Sequence, residues 1–281
     1  MRISAKLAPT FPYPEMEAFW RTADELGYDG IYNYDHFYGL GTDEETWRTP
    51  TLEAWTTLAI MAAVTTRARI GCMVSAVTYR PPAMLAKLVS TVDHASNGRL
   101  DVGLGAGWHE PEHNGFGYPY PSAGTRIAML DEAVEILKRL WAEDRVTHEG
   151  RFFTLEGTIN EPKPVQRPHP RIVIGGNGRE KTLRVVAKHA DEWNCIGTEP
   201  EAFIELSKVL DEHCAAVGRD PGTIVRGAQM FLHPALPDQL ENGLARIPQL
   251  RDAGCEHVVL SFYQPPSPEL LERCAPANLL G

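Results

Sequence analysis

At 281 residues the chain has room for two average domains or for one α/β barrel, which needs roughly 250 residues. It is 43% hydrophobic and 23% charged, as in folded globular proteins, and its formal charge of −10 argues against nucleic acid or an anionic membrane as general partners. No apolar run approaches the roughly 18 residues of a membrane span, and the N-terminus enters a strand without a signal-like segment. The five cysteines (Cys72, Cys195, Cys214, Cys255, Cys274) form no CxxC pair and read as reduced, packed thiols, so a cytoplasmic protein is expected.

In chain order, apolar runs predict strands at 3–8, 29–34, 69–77, 100–106, 171–175, 192–196, 224–231 and 257–262. Runs such as IGCMV and LDVGLG lack alternation, as expected of parallel strands covered on both faces. Amphipathic helices fall between them. One carries Leu85, Leu88, Val89 and Val92; the next Ile127, Leu130, Val134, Leu137 and Leu140; later ones Phe203, Leu206 and Leu210, then Leu240, Leu244, Ile247 and Leu250. Gly27, Gly98, Gly218 and Gly254 stand where these helices should end. Eight strands alternating with helices predict a (β/α)8 TIM barrel, with a doubly wound open sheet as the alternative.

Two connections exceed the usual 2–6 residues. Residues 36–50 leave the C-terminal end of strand two, where barrel active sites form, and could cover a pocket. Residues 144–170 precede strand five and contain a hairpin-like segment, EGRFFTLEG, and a proline-rich run. They are a surface insertion, either decorative or functional.

Several segments carry candidate chemistry. Gly175-Gly176-Asn177-Gly178 ends strand five before a helix, where backbone amides can approach an anion; the surrounding Lys163, Arg167, Arg171, Arg179, Lys181, Arg184 and Lys188 favour a phosphorylated ligand over a plain tight turn. Gly103-Leu104-Gly105-Ala106-Gly107-Trp108 fails the dinucleotide fingerprint because Trp108 stands where glycine or alanine is required, yet it lets a flat ring lie against backbone. His109-Glu110-Pro111-Glu112-His113 matches the HExxH string, but Pro111 and the glycines that follow argue against a helix, and no metal is expected. Asp35-His36 ends strand two, where a histidine can carry a proton near neutral pH or merely cap a loop. Tyr38, Trp47, Trp108 and Trp193 are candidates to wall an aromatic pocket.

With these residues in hand, the chain resembles the bacterial luciferase-like superfamily of flavin and deazaflavin barrel oxidoreductases over essentially its whole length. The resemblance is carried by Gly71-Cys72-Met73-Val74, Val77-Thr78-Tyr79-Arg80-Pro81, Gly98-Arg99-Leu100, Gly105-Ala106-Gly107-Trp108, Tyr118-Pro119, Pro162-Lys163-Pro164-Val165-Gln166, Ile174-Gly175-Gly176 and Ala190-Asp191-Glu192-Trp193-Asn194. In the last, Glu192 replaces the family's glycine at a strand start. The resemblance implies one domain over 1–281, a homodimer, and a small-molecule substrate. Asp35-His36 is similar to the pair of the coenzyme F420 branch, which implies proton transfer by His36 with Asp35 orienting it; FMN with a monooxygenase reaction is the alternative, and a non-catalytic flavin-binding barrel a further one. It also implies a cis peptide at Met73–Val74 behind the cofactor ring. Ser75, Gly105 to Trp108 and Glu110 would contact ring or ribityl chain, and Gly175, Gly176, Asn177 and Gly178 the phosphate.

Overall fold

The computed structural model describes residues 1–197 and 199–280. Its strands are β1 (Arg2–Leu7), β2 (Gly30–Asn33), β3 (Arg69–Cys72), β4 (Ser75–Ala76), β5 (Leu100–Gly105), β6 (Val146–Glu149), β7 (Thr154–Thr158), β8 (Arg171–Gly175), β9 (Glu192–Ile196), β10 (Val225–Leu232) and β11 (His257–Phe262). β3 and β4 are two parts of one barrel strand. With β1, β2, β5 and β8 to β11 they form eight parallel staves, closed where Ile70 pairs with Leu100 and Gly71 with Asp101. The expected TIM barrel is the fold, and the open sheet is not.

The continuous strand expected over 69–77 is broken between Cys72 and Ser75, where the Met73–Val74 peptide is cis. β5 accommodates the resulting bulge with glycines. A Cβ on Gly103 would collide with the carbonyl of Cys72, and one on Gly105 would stand 2.7 Å from Val74 Cγ2. The two glycines noted in the sequence therefore make room for a neighbouring strand.

Helices cover the outside of the barrel with the faces the periodicity marked: Leu85, Val89, Val92, Leu130, Val134, Leu137, Leu140, Phe203 and Leu210 are all buried. One expected helix divides. Leu240 and Leu244 lie on the helix Pro237–Leu244, and Ile247 and Leu250 on the helix Ile247–Asp252. Pro248 explains the break, because its ring cannot continue the preceding helix but fits the first turn of a new one. The insertion before β8 contains the expected hairpin, β6 paired antiparallel with β7, and packs on the helix Ala123–Ala142 through Glu132, which accepts from the Phe153 amide at 2.9 Å. The five cysteines are buried, and no disulfide occurs among the described residues.

Inside the barrel the N-terminal end is closed by charge. Glu192, fully buried, pairs with His257 Nδ1 at 2.5 Å and Arg2 at 2.7 Å, while Arg171 lies at 3.5 Å. Beside them Tyr32 donates to Asp101 at 2.8 Å, and Asp101 is also held by Arg69. Above this layer Tyr32, Met73, Val173 and Val259 form a small apolar core, on which the C-terminal cavity rests. Among the described residues, no helix is long and apolar enough to cross a membrane.

Candidate active site

The C-terminal mouth of the barrel opens into a cavity of about 780 Å³. Met73 and Val74 form one wall at the cis peptide; Gly105, Ala106, Gly107 and Trp108 continue it from the end of β5; Gly175 and Gly176 add the end of β8. Gly39, Leu40, Thr46 and Thr49 come from the 36–50 connection, which contributes to the pocket as its position suggested. Leu40, Trp108, Ile196, Phe231 and Tyr263 are exposed apolar side chains at the same mouth.

His36 lines this cavity, and its Nδ1 donates to Glu112 Oε2 at 2.9 Å. The Glu112 carboxylate is completely buried and also accepts from the Phe37 and Tyr38 amides, each at 2.9 Å, and from the Tyr79 hydroxyl. Burial alone would raise the Glu112 pKa, but the His36 contact and the remaining donors outweigh it and hold it at about 2. A carboxylate that only accepts fixes the proton of neutral His36 on Nδ1, leaving Nε2 as the nitrogen for exchange with the cavity. The imidazole is further framed by Tyr34 and Trp108, with ring centroids at 5.1 and 5.6 Å.

Asp35, expected to orient His36, is engaged elsewhere. Its carboxylate is bound by Arg80 Nη1 at 2.5 Å and Nη2 at 3.1 Å, and Arg80 also reaches Glu53. Burial raises the Asp35 pKa while Arg80 opposes the shift. Adjacent residues leaving a strand project to different sides, so Asp35 and His36 find separate partners. The orienting carboxylate comes instead from 76 residues further along the chain.

The HExxH segment is helical after all, spanning Glu110–Gly115 with His109 as its N-cap. Pro111 falls in the first turn, where the missing N–H costs nothing. The two histidines nevertheless diverge: His113 bonds to the His109 carbonyl and to Thr78, whereas His109 Nδ1 lies 3.3 Å from Glu112. His36, His109 and Glu112 bring potential ligand atoms within 4.8 Å of one another, but the Glu112 oxygens are already committed to the four donors named above.

Of the other expected contacts, Ser75, Glu110, Asn177 and Gly178 are not among the described cavity-lining residues. Ser75 is buried beneath the wall and accepts from Trp55 Nε1 at 3.0 Å; Glu110 is exposed at the start of its helix. Asn177 spends its side-chain amide on both backbone groups of Ile196, locking the β8 turn to β9. The basic neighbourhood disperses as well. Arg171 occupies the opposite end of β8, in the charged layer with Glu192, while Arg179 pairs with Glu205 and Lys188 with Asp131. Trp193 is wholly buried against Phe203, and Tyr38 and Trp47 stack on each other within the 36–50 connection, so only Trp108 of the four aromatics faces the cavity.

Lys6, Gln229, Ser261, Arg126 and Thr182 also line the cavity and were not singled out from sequence. The polar alternation Arg2, Ser4, Lys6 along an otherwise apolar first strand is the signal that points inward to Lys6.

This architecture defines a class: a parallel barrel whose C-terminal pocket combines a cis-peptide wall, glycine-lined strand ends and a carboxylate-held histidine. The chain belongs to the luciferase-like monooxygenase family, whose model matches residues 2–250. It is 37% identical over 171 residues to an uncharacterized protein of Mycobacterium tuberculosis (strain ATCC 25618 / H37Rv), covering 60% of this chain and 58% of that one. It is 32% identical over 217 residues to pyrimidine monooxygenase RutA of Stutzerimonas stutzeri (strain A1501), covering 75% of this chain and 58% of RutA. The chain thus spans less than two thirds of the length of these relatives. Its fold is similar to an F420-dependent secondary alcohol dehydrogenase solved with an F420-acetone adduct: TM-score 0.84, 19% identity, covering 99% and 98% of the two chains.

Proposed function

We propose that the protein is a coenzyme F420-dependent oxidoreductase acting on a small organic substrate at the C-terminal mouth of the barrel. The observation that carries this reading is the His36–Glu112 pair, with His36 in the cavity wall near the Met73–Val74 bulge. The cavity suits a flat tricyclic ring in size and in its apolar walls, and Gly107, Gly175, Gly176, Thr182 and Arg126 offer small or polar groups where a phosphate tail would leave. When bound, a deazaflavin supplies hydride transfer at C5 without activating oxygen. His36 moves the accompanying proton through Nε2, Glu112 keeps the imidazole in one tautomer and orientation, and the 36–50 connection excludes water. Asp35 acts through Arg80 on the shape of the pocket and not on the proton.

FMN with a monooxygenase reaction is the second reading, favoured by the identity with RutA. Side-by-side titration of the purified protein with oxidised F420 and FMN, followed by fluorescence quenching, separates the two. Retention of FMN, oxygen-dependent product formation and no deazaflavin binding would overturn the F420 assignment.

A further inference from the structure

The charge of the cavity runs against that of the chain. The formal total is −10, yet among the described residues the one carboxylate lining the cavity is Asp35, which is ion-paired with Arg80. Two cations, Lys6 and Arg126, line it with no carboxylate in ion-pair contact among the described residues. They stand on opposite sides of the barrel: Lys6 on β1, and Arg126 beside the ends of β5 and β8. Arg126 is accounted for locally, donating to the Gly107 and Pro121 carbonyls and lying 3.9 Å over the Tyr120 ring.

Lys6 is not. Its side chain is 5% exposed, and its ammonium donates only to the Met73 carbonyl at 2.8 Å and to Gln229 Oε1 at 3.1 Å. Both acceptors are neutral, and the ammonium also lies 5.7 Å from the centroid of the Tyr34 ring, so among the described residues its charge meets neutral groups and a ring face but no carboxylate. Buried charge without a counter-charge is unfavourable, and burial accordingly lowers the Lys6 pKa to about 8. Ser261, paired with Lys6 in the β1–β11 ladder, and Gln229 on β10 also line the cavity, so three neighbouring strands present polar side chains there.

We propose that Lys6, assisted by Gln229 and Ser261, is the receptor for a delocalised oxygen anion held in the cavity, supplied by the reduced cofactor ring or by a carboxylate or enolate of the substrate. This rests on the cavity being the catalytic site.

The test compares wild type with Lys6→Met, which keeps length and loses charge, and with Lys6→Arg, which keeps charge. In one arm, cofactor-free protein is titrated with benzoate and its neutral isostere benzamide by tryptophan fluorescence. In the other, affinities for oxidised and reduced F420 and FMN are measured. A substrate anion is the source if wild type prefers benzoate by about tenfold or more and Lys6→Met abolishes the preference. The ring is the source if Lys6→Met instead lowers the reduced-to-oxidised affinity ratio by about tenfold. Lys6→Arg should retain most of either effect. If both ratios in a folded Lys6→Met protein stay within about twofold of wild type, the proposal is overturned. Should Lys6→Met fail to fold, Lys6→Gln, which can still donate to the Met73 carbonyl, carries the same comparison. Failure to bind either cofactor would sink the proposed function and leave the benzoate arm to decide the role of Lys6.

Discussion

Glu112 Oε2 stands 2.9 Å from His36 Nδ1, and the two residues approach from the ends of different barrel strands. The carboxylate is fixed by backbone amides of the segment that carries the histidine, so His36 and its acceptor are positioned as one unit. The contact gives the cavity a histidine with one nitrogen committed and the other free for proton exchange.

If His36 carries the proton, His36→Ala lowers turnover by roughly 100- to 10 000-fold, the usual contribution of a positioned acid or base. Cofactor affinity should fall far less than turnover, since the Tyr34 and Trp108 rings packed on the imidazole lose one contact each while the rest of the wall is unchanged. Steady-state rates together with a cofactor titration check this, and a variant of undiminished turnover would remove His36 from the mechanism.

Glu112 and Asp35 should separate cleanly. Glu112→Gln is expected to lower kcat and kcat/KM together, as for a group whose contribution is made in the transition state. Asp35→Asn leaves Arg80 short of a buried partner and should lower the unfolding free energy by about 3 kcal/mol, with most of kcat retained. The opposite pattern would restore Asp35 as the orienting group.

Gly105→Ala puts a methyl group 2.7 Å from Val74 Cγ2, against the cis-peptide bulge. Overpacking of this kind costs about 1–3 kcal/mol, which the denaturant midpoint would report. Weaker cofactor binding should accompany it, because Val74 is itself part of the cavity wall.

The charged layer at the far end of the barrel predicts acid sensitivity. Burial pushes the Glu192 pKa up, but His257, Arg2 and Arg171 outweigh it and hold it at about 2, below the unfolded value of about 4.3. A depressed carboxylate contributes stability that is fully present above the unfolded pKa and is lost as pH falls through the folded one. Wild-type stability should therefore decline between about pH 4.5 and 2, and Glu192→Gln should flatten that part of the curve while lowering stability at pH 7 by about 3 kcal/mol. Urea midpoints measured across this range provide the check, and parallel curves for the two proteins would refute it.

The resemblance in the sequence reached the family, the barrel and much of the cavity wall. Gly105, Ala106, Gly107, Gly175 and Gly176 were legible because glycines closing a buried strand have a local meaning, and Met73–Val74 because the surrounding motif carried it. Asn177 and Gly178 slipped out of the wall because the turn is turned onto Ile196 by hydrogen bonds that no spacing reveals.

What the sequence by itself determined was periodic or local: the limits of β8, β9 and β11, the buried helix faces, and a histidine at the end of the second strand. Each depends on residues a few positions apart, where strand and helix periods operate. Only the tertiary structure decided that Glu112 and not Asp35 holds His36, that Arg171 belongs to the closed end of the barrel, and that Lys6 faces the cavity with no carboxylate paired to it among the described residues. These pairings depend on strand order, register and barrel closure, which bring together residues tens to hundreds of positions apart and settle which carboxylate each cation meets.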